Sequence, residues 1–350
     1  MRVHIVAPGS VYSTFDVYRN ILMSFGRVDE VEVSGFPFHN YLVFYEAANE
    51  WLKEKHSTVV GGMYDGIAWS ARQLLLDIWE KRPDVVVFVD GSKFPQKILY
   101  EVHKFCNAIG LNTIVCGYIT EAPYINDSLE QLLPFFDVVF TNERNHADRL
   151  NPNGDKFVFY APPCYSNDIH WHKSLSGGNK EYEKEVFFCG TLFPERINLL
   201  RELDTSGFDL SIFANTSVIE DRESIDIIKK KTTFSDGIVD NTIVAEYYRR
   251  SKVLLNIHRT YGWDFEQETK DIALGEAYSI NPRVIEAVAC GGFVLTDHRP
   301  ELDNLFGDTI ATYDGPRELR EKALLYLGND ELRENMSAAA LEKIKGMSYV

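Results

Sequence analysis

The sequence predicts an α/β protein made of two doubly wound domains in tandem. Three observations carry this. Short, apolar, mostly β-branched runs such as residues 3–7, 85–89 and 253–257 alternate with stretches of helical spacing along most of the chain. Runs apolar at every position read as strands buried on both faces, the habit of parallel sheets. The alternation is broken once, by the polar stretch 162–184 with Pro162-Pro163 and Gly177-Gly178, which splits it into two series. A length of 350 residues also suits two domains of about 150 residues better than one core.

In the first series, residues 3–7 form a strand that ends at Pro8-Gly9-Ser10. A helix over 15–25 and a short strand over 31–33 follow. Residues 67–79 have helical spacing, broken by Arg82-Pro83-Asp84. Then come a strand over 85–89 ending at Asp90-Gly91, a helix over 96–109, and strands over 113–118, 138–140 and 157–159. The second series opens with a strand over 186–190. It continues as helix 195–203, strand 210–213, helix 242–250 and strand 253–257. Helix 282–290, strands 293–296 and 310–313, and a mostly helical tail over 317–345 complete it. The expected organisation is a first domain over 1–165, a linker over 166–184, a second domain over 185–328 and a C-terminal helix over 329–350.

Composition narrows the functional classes. Hydrophobic residues at 45% and charged residues at 25% are the balance of a soluble globular protein and exclude wholesale disorder. No run of about 18 apolar residues is present, so no membrane span is expected. The chain passes from Met1 directly into its first strand without a leader-like segment, which points to the cytoplasm. Cys106, Cys116, Cys164, Cys189 and Cys290 show no C-x-x-C spacing, so neither a zinc site nor a disulfide framework is indicated. The net charge of -16 disfavours a broad nucleic-acid surface and leaves room for a local basic pocket. Aromatic residues, at 13%, serve core packing or a stacking site for sugars or bases.

The most informative segment is Asn281-Pro282-Arg283-Val284-Ile285-Glu286-Ala287-Val288-Ala289-Cys290-Gly291-Gly292-Phe293-Val294-Leu295-Thr296-Asp297. Asn281 is a good N-cap, Pro282 suits the first helical turn and Gly291 ends the helix. The helix start offers N–H groups and a partial positive charge to an anion. Arg283 stands beside it and Glu286 about one turn deeper, where a carboxylate can accept both hydroxyls of a ribose. The alternative is an i,i+3 surface pair on an ordinary helix.

From residue 253 onward the chain resembles the C-terminal domain of GT-B glycosyltransferases of the group similar to the spore-maturation protein CgeB. The resemblance rests on Leu255-Asn256-Ile257-His258, Asn281-Pro282-Arg283, Glu286-Ala287, Cys290-Gly291-Gly292-Phe293, Leu295-Thr296-Asp297 and Glu301-Leu302. Further support comes from Thr120-Glu121-Ala122-Pro123-Tyr124, residues 137–142, Ala161-Pro162-Pro163, and Cys189-Gly190-Thr191 followed by Arg196. About half of the chain carries it. The resemblance implies the GT-B architecture, two Rossmann-like domains facing a cleft, with the last helix returning to the first domain. It also implies that Glu286 holds the ribose of a nucleotide-sugar donor while the helix start faces the diphosphate. Many retaining relatives carry a second Glu eight residues earlier. Here that position is Tyr278, with Glu276 nearby as a substitute, so the stereochemical outcome stays open.

Other residues fall at strand ends, where doubly wound sheets bind ligands. Gly190 would let a phosphate approach the backbone, and Arg196 would neutralise a leaving diphosphate, or else be a solvated helix arginine. His258 and Arg259 end the 253–257 strand, Arg259 as a second phosphate ligand and His258 as a ligand group or a strand-end cap. In the first domain Glu121 and Asp90 are the candidate catalytic carboxylates, as general base or acceptor-binding groups, against turn-stabilising roles. His170-Trp171-His172 is a poor metal pair without a third ligand, and no D-x-D triplet occurs, so no metal is expected.

The expected function is metal-independent transfer of a sugar from a UDP- or GDP-linked donor to an acceptor hydroxyl. The acceptor class (glycan, small molecule, protein or modified DNA base) and the oligomeric state are left open. The alternatives are glycosylation of a modified base in phage DNA, a sugar-nucleotide epimerase, and a non-catalytic nucleotide-sugar-binding protein.

Overall fold

A computed structural model describes residues 1–9, 15–55, 65–90, 94–120, 122, 132–151, 153–154, 157–171, 182–216, 219–237, 239–260 and 277–349. The chain divides between Ala161 and Pro162 into two compact units. Each is built on a six-stranded parallel sheet.

The first unit runs β1 (Arg2–Ala7), α1 (Phe15–Phe25), β2 (Glu32–Pro37), α2 (Phe38–Lys55), α3 (Gly66–Lys81), β3 (Val85–Val89), α4 (Gln96–Ala108), β4 (Ile114–Ile119), β5 (Val138–Thr141), α5 (Arg144–Leu150) and β6 (Val158–Tyr160). Its strand order is β2-β1-β3-β4-β5-β6. α3 starts where Asp65 accepts from the N–H groups of Ile67 and Ala68. It stops where Arg82 turns left-handed at φ 46° and donates its N–H to Ile78. Leu74 and Ile78 of α3 then pack with Val86 and Phe88 of β3 and Leu99 of α4. α2 and α5 are additions to the expected elements. α2 escapes a periodicity reading because its apolar residues lie on more than one side: Phe44 and Trp51 are exposed while Phe38 is buried.

The second unit runs β7 (Lys184–Cys189), α6 (Pro194–Glu202), β8 (Leu210–Ala214), α7 (Arg222–Lys230), β9 (Thr233–Asp236), α8 (Asn241–Arg249), β10 (Ser251–Asn256), α9 (Pro282–Ala289), β11 (Val294–Asp297), α10 (Pro300–Leu305), β12 (Ala311–Tyr313), α11 (Gly315–Leu327) and α12 (Asp330–Lys343). Its order is β12-β11-β10-β7-β8-β9. Strand side chains alternate between faces, and here both faces are covered. Val186, Phe188, Leu255 and Leu295 join one cluster with α6 and α11 residues. Phe187, Leu254 and Val294 join another with Val284, Ile285 and Val288 of α9. That is why these strands read as unbroken apolar runs.

The outer parts of the second unit differ from the expected division. The backbone of Tyr165 pairs with Met347 and Tyr349, so the end of the expected first domain is built into this unit. The tail over 329–350 is not a separate element either. Ala340 and Ile344 are buried in one cluster with Val284 and Val288, because α9 presents apolar residues on its outer side as well as toward the sheet. In the structure, then, the last helix completes the second unit's own core.

Two buried histidines of the first unit give it an acid-labile core. His4, at the start of β1, and His146, in α5, are each pushed down to about 4, mainly by burial. Asp77 stands 3.3 Å from the His4 ring, but desolvation of a wholly buried ring outweighs that pairing. A histidine lowered in the native state binds fewer protons than in the unfolded chain. Its stability is therefore intact above the unfolded value near 6.5 and lost as pH falls toward 4. The expected outcome is a urea midpoint for the first unit that drops between pH 7 and pH 5, and a smaller drop in His146→Gln, read by tryptophan fluorescence.

Candidate functional site

The order of the second sheet locates the site. From β7 the chain winds outward through β8 and β9. It then crosses back to β10, on the other side of β7, and winds out through β11 and β12. The carboxyl ends of β7 and β10 therefore flank the switch point, where open α/β sheets bind ligands. Leu254 is in register with Phe187, and Asn256 with Thr296. This sets Cys189, Asn256 and Thr296 level with one another. The connections leaving that level carry Gly190, His258 and Arg259.

Three arginines gather there. A Cβ on Gly190 would lie 2.6 Å from Arg283 Nη2, 3.1 Å from its Cζ and 3.4 Å from Arg196 Nη1. The space that a side chain at residue 190 would take is filled by guanidinium groups. Arg196 is buried rather than solvated, at 4% exposure. Its Nε donates to the Ile257 carbonyl at 3.0 Å and its Nη1 to the Thr191 carbonyl at 2.7 Å, tying the loop after β7 to the end of β10. Arg196 and Arg259 share the Phe193 ring, at 5.3 and 4.5 Å from its centroid, a contact that favours a cation near an aromatic face.

Two carboxylates accompany these cations. Glu195, in the first turn of α6, accepts from the Thr260 N–H at 3.0 Å, and burial raises its pKa against the pull of Arg196 and Arg259. Glu286 is half-buried on α9. Its charge, with those of Arg283 and Arg196, bears on the Cys189 thiol, which burial pushes up. Arg283 and Glu286 thus both project toward the end of β7.

The start of α9 is held by a chain of polar side chains. Asn281 Oδ1 accepts from the Val284 N–H at 3.3 Å, and its Nδ2 donates to Asn256 Oδ1 at 3.0 Å. Asn256 Nδ2 in turn donates to Thr296 Oγ1 at 2.8 Å. The helix start is therefore less open than a bare terminus: Pro282 is exposed but has no N–H, and that of Val284 is taken by the cap. Asp297, at the end of β11, accepts from both the backbone N–H and the Nδ1 of His258. Tyr278 accepts from Asn304 Nδ2 at 2.5 Å through its hydroxyl and from the Glu301 N–H through its carbonyl. Glu301 Oε2 accepts from Ile280 N–H at 2.8 Å, which pins the approach to α9 against α10. Sequence reasoning gave no role to Asn256, Thr296, Asp297, Glu195 or Glu301. The available signal was a polar residue closing an otherwise apolar strand, as in Leu254-Leu255-Asn256 and Leu295-Thr296-Asp297.

In the first unit Asp90 follows β3, fully buried, with φ 55°. A left-handed non-glycine residue is strained and is kept only where its surroundings hold it; its N–H donates to the Tyr118 carbonyl at 2.6 Å. Asp90 stands beside the end of β1, where Gly9 at φ 129° packs on Asn40. Glu121, Glu276 and His172 lie outside the described residues. His170 Nδ1 accepts from the Ser166 N–H. Among the described residues no group of three His, Cys, Asp or Glu is arranged to hold a metal ion, and no helix is long and apolar enough to cross a membrane.

In comparison with known proteins, residues 196–349 match a family model described as glycosyl transferase-like. The fold is that of the GT-B glycosyltransferases. A relative by sequence is the spore protein CgeB of Bacillus subtilis (strain 168), 24% identical over 271 residues, or 76% of this chain and 78% of CgeB. Among solved structures, a glycosyltransferase from Rickettsia africae superposes with a TM-score of 0.58 at 13% identity, over 99% of this chain and 94% of that one. An α-glucosyltransferase in complex with UDP-glucose and DNA containing an abasic site superposes with a TM-score of 0.59 at 12% identity, over 99% and 95%.

The packing at Gly190 yields a test. Gly190→Ala places a methyl group on the flexible Arg283 guanidinium, and at φ 156° it also strains the backbone. The variant should stay folded by circular dichroism. Its affinity for UDP, measured by calorimetry, should fall about tenfold, or about 1.4 kcal/mol, as Arg283 is displaced.

Proposed function

We propose that the protein transfers a sugar from a UDP- or GDP-linked donor to an acceptor hydroxyl without a metal ion. The observation that carries this reading is the convergence of Arg196, Arg259 and Arg283 around Gly190 and Phe193, at the switch point of the second sheet. Like charges packed together repel, and a dianionic diphosphate is the ligand that such a cluster suits. Glu286, one turn into α9, accepts hydrogen bonds from the ribose hydroxyls. As the bond to the sugar breaks, negative charge grows on the leaving diphosphate, and fixed guanidinium groups stabilise it without having to reorganise. The proposed nucleotide-sugar ligands are Arg196, His258, Arg259, Tyr278, Pro282, Arg283 and Glu286, with Gly190 and Asn281 in supporting roles. Gly190 acts through Arg283, and Asn281 through the position of α9. The first unit supplies the acceptor contacts, with Asp90 and Glu121 as its candidate carboxylates. The net charge of -16 favours a small or glycan acceptor over duplex DNA.

The test is a thermal-shift screen against UDP, GDP, UDP-glucose, UDP-N-acetylglucosamine and GDP-mannose. A ligand that binds the native state raises its melting temperature by mass action. The preferred donor should stabilise the wild-type protein. Glu286→Ala should bind it at least tenfold more weakly, since each hydrogen bond to a charged group is worth about 1.5–3 kcal/mol. The reading fails if none of the five stabilises the protein, or if Glu286→Ala binds as tightly as the wild type. Consumption of the donor with no acceptor present would instead indicate an epimerase.

A further inference from the structure

We propose that His258 is a hydroxyl-recognition group of the donor site, and that Asp297 is the positioning residue that makes it one. The geometry points to a single protonation state. Asp297 Oδ1 lies 2.7 Å from His258 Nδ1 and also accepts the His258 backbone N–H at 2.9 Å. A carboxylate has nothing to donate, so the imidazole carries its proton on Nδ1 and gives it to Asp297. Burial holds His258 below its ordinary range, while Asp297, against its own burial, is helped down by the hydrogen bonds it accepts from the His258 ring and backbone. The ring is therefore neutral and Nε2 is a lone-pair acceptor.

That acceptor is unused. His258 is 2% exposed, and its Nε2 has no hydrogen-bond partner. A buried acceptor left unpaired costs about 1–3 kcal/mol. Several polar side chains nearby are bonded, Asn281 to Asn256, Asn256 to Thr296, and Thr296 to the Asp297 carbonyl, while Glu195 Oε2, like His258 Nε2, has no hydrogen-bond partner. The cationic neighbours of the ring, Arg196 and Arg299, donate to backbone carbonyls, Arg196 to those of Ile257 and Thr191 and Arg299 to that of Arg259. The gap is met by a ligand that brings a donor with no charge, and the hydroxyls of the ribose and the sugar are the most numerous such donors on a nucleotide sugar. A proton on Nε2 would turn the group into a second donor, which a hydroxyl tolerates less well here among arginines. Asp297 thus acts through the tautomer and without touching the ligand.

The inference rests on the donor-site reading above, and its test separates the two. The probes are UDP and UDP-glucose, or UDP and GDP each paired with the donor that the screen selects. The variants are His258→Phe, which removes the acceptor, His258→Gln, which restores one near the Nε2 position, and Asp297→Asn. His258→Phe should bind the nucleotide sugar at least tenfold more weakly, His258→Gln should recover most of that loss, and Asp297→Asn should fall between. If the free diphosphate is weakened equally, the hydroxyl is on the ribose; if it is unaffected, it is on the sugar. In both cases the nitrogen spectrum of labelled wild-type protein should show an unprotonated Nε2 that moves upfield when donor binds. Full affinity in a folded His258→Phe, or a proton on Nε2, overturns the inference and leaves the donor site standing. Failure of the wild type to bind any of the probes overturns the donor site itself.

Discussion

The parallel register of β7, β10 and β11 is the constraint on which the rest of this site depends. Because Leu254 pairs with Phe187 and Asn256 with Thr296, three strands from distant parts of the sequence end at one level. Each then delivers its next residues to the same few ångströms. Gly190, His258 and Asp297 are separated by many tens of residues yet arrive together for this reason. The register is itself secured from both sides, since alternate side chains of each strand are buried in different clusters. A slip by one residue would exchange the two cores.

The charged groups at this level show how the fold holds what would otherwise repel. Arg196 is almost wholly buried, but it is bonded to two carbonyl oxygens and lies near two aromatic rings. Burying a charge is tolerated only with such compensation. Arg283 reaches the same place because residue 190 has no side chain. Glu195 and Glu286 offset part of the positive charge. Arg196 at least is fixed by contacts that exist without a ligand, the pre-organisation on which the proposed anion site draws.

A second layer, polar and uncharged, fixes the helix that carries Arg283 and Glu286. The run from Asn281 through Asn256 and Thr296 joins the start of α9 to the ends of two strands. Glu301 and Tyr278 hold the approach from the other side. These residues set angles rather than touching the reacting atoms. They were hard to read beforehand because an asparagine or threonine at a strand end looks the same whether it caps a turn or anchors a helix. By contrast, the pairing of Arg283 with Glu286 was legible, since spacing of three on a helix fixes a common face whatever surrounds it. α2 was missed for a related reason: its exposed aromatic residues blur the periodicity that defines a helix.

The sequence by itself determined the class of fold, the two series of strands and helices, and the segment 281–297 as the place to look. Those follow from local physics: apolar runs, periodicity, caps and the stereochemistry of proline and glycine act over a few residues. Only the tertiary structure decided what packs on Gly190, that Arg196 is buried rather than solvated, that the final helix completes the second unit's core, and that Asp297 meets His258. Each of these depends on which strand lies beside which and in what register. That choice is made by the burial of the whole sheet and leaves no mark within any one segment.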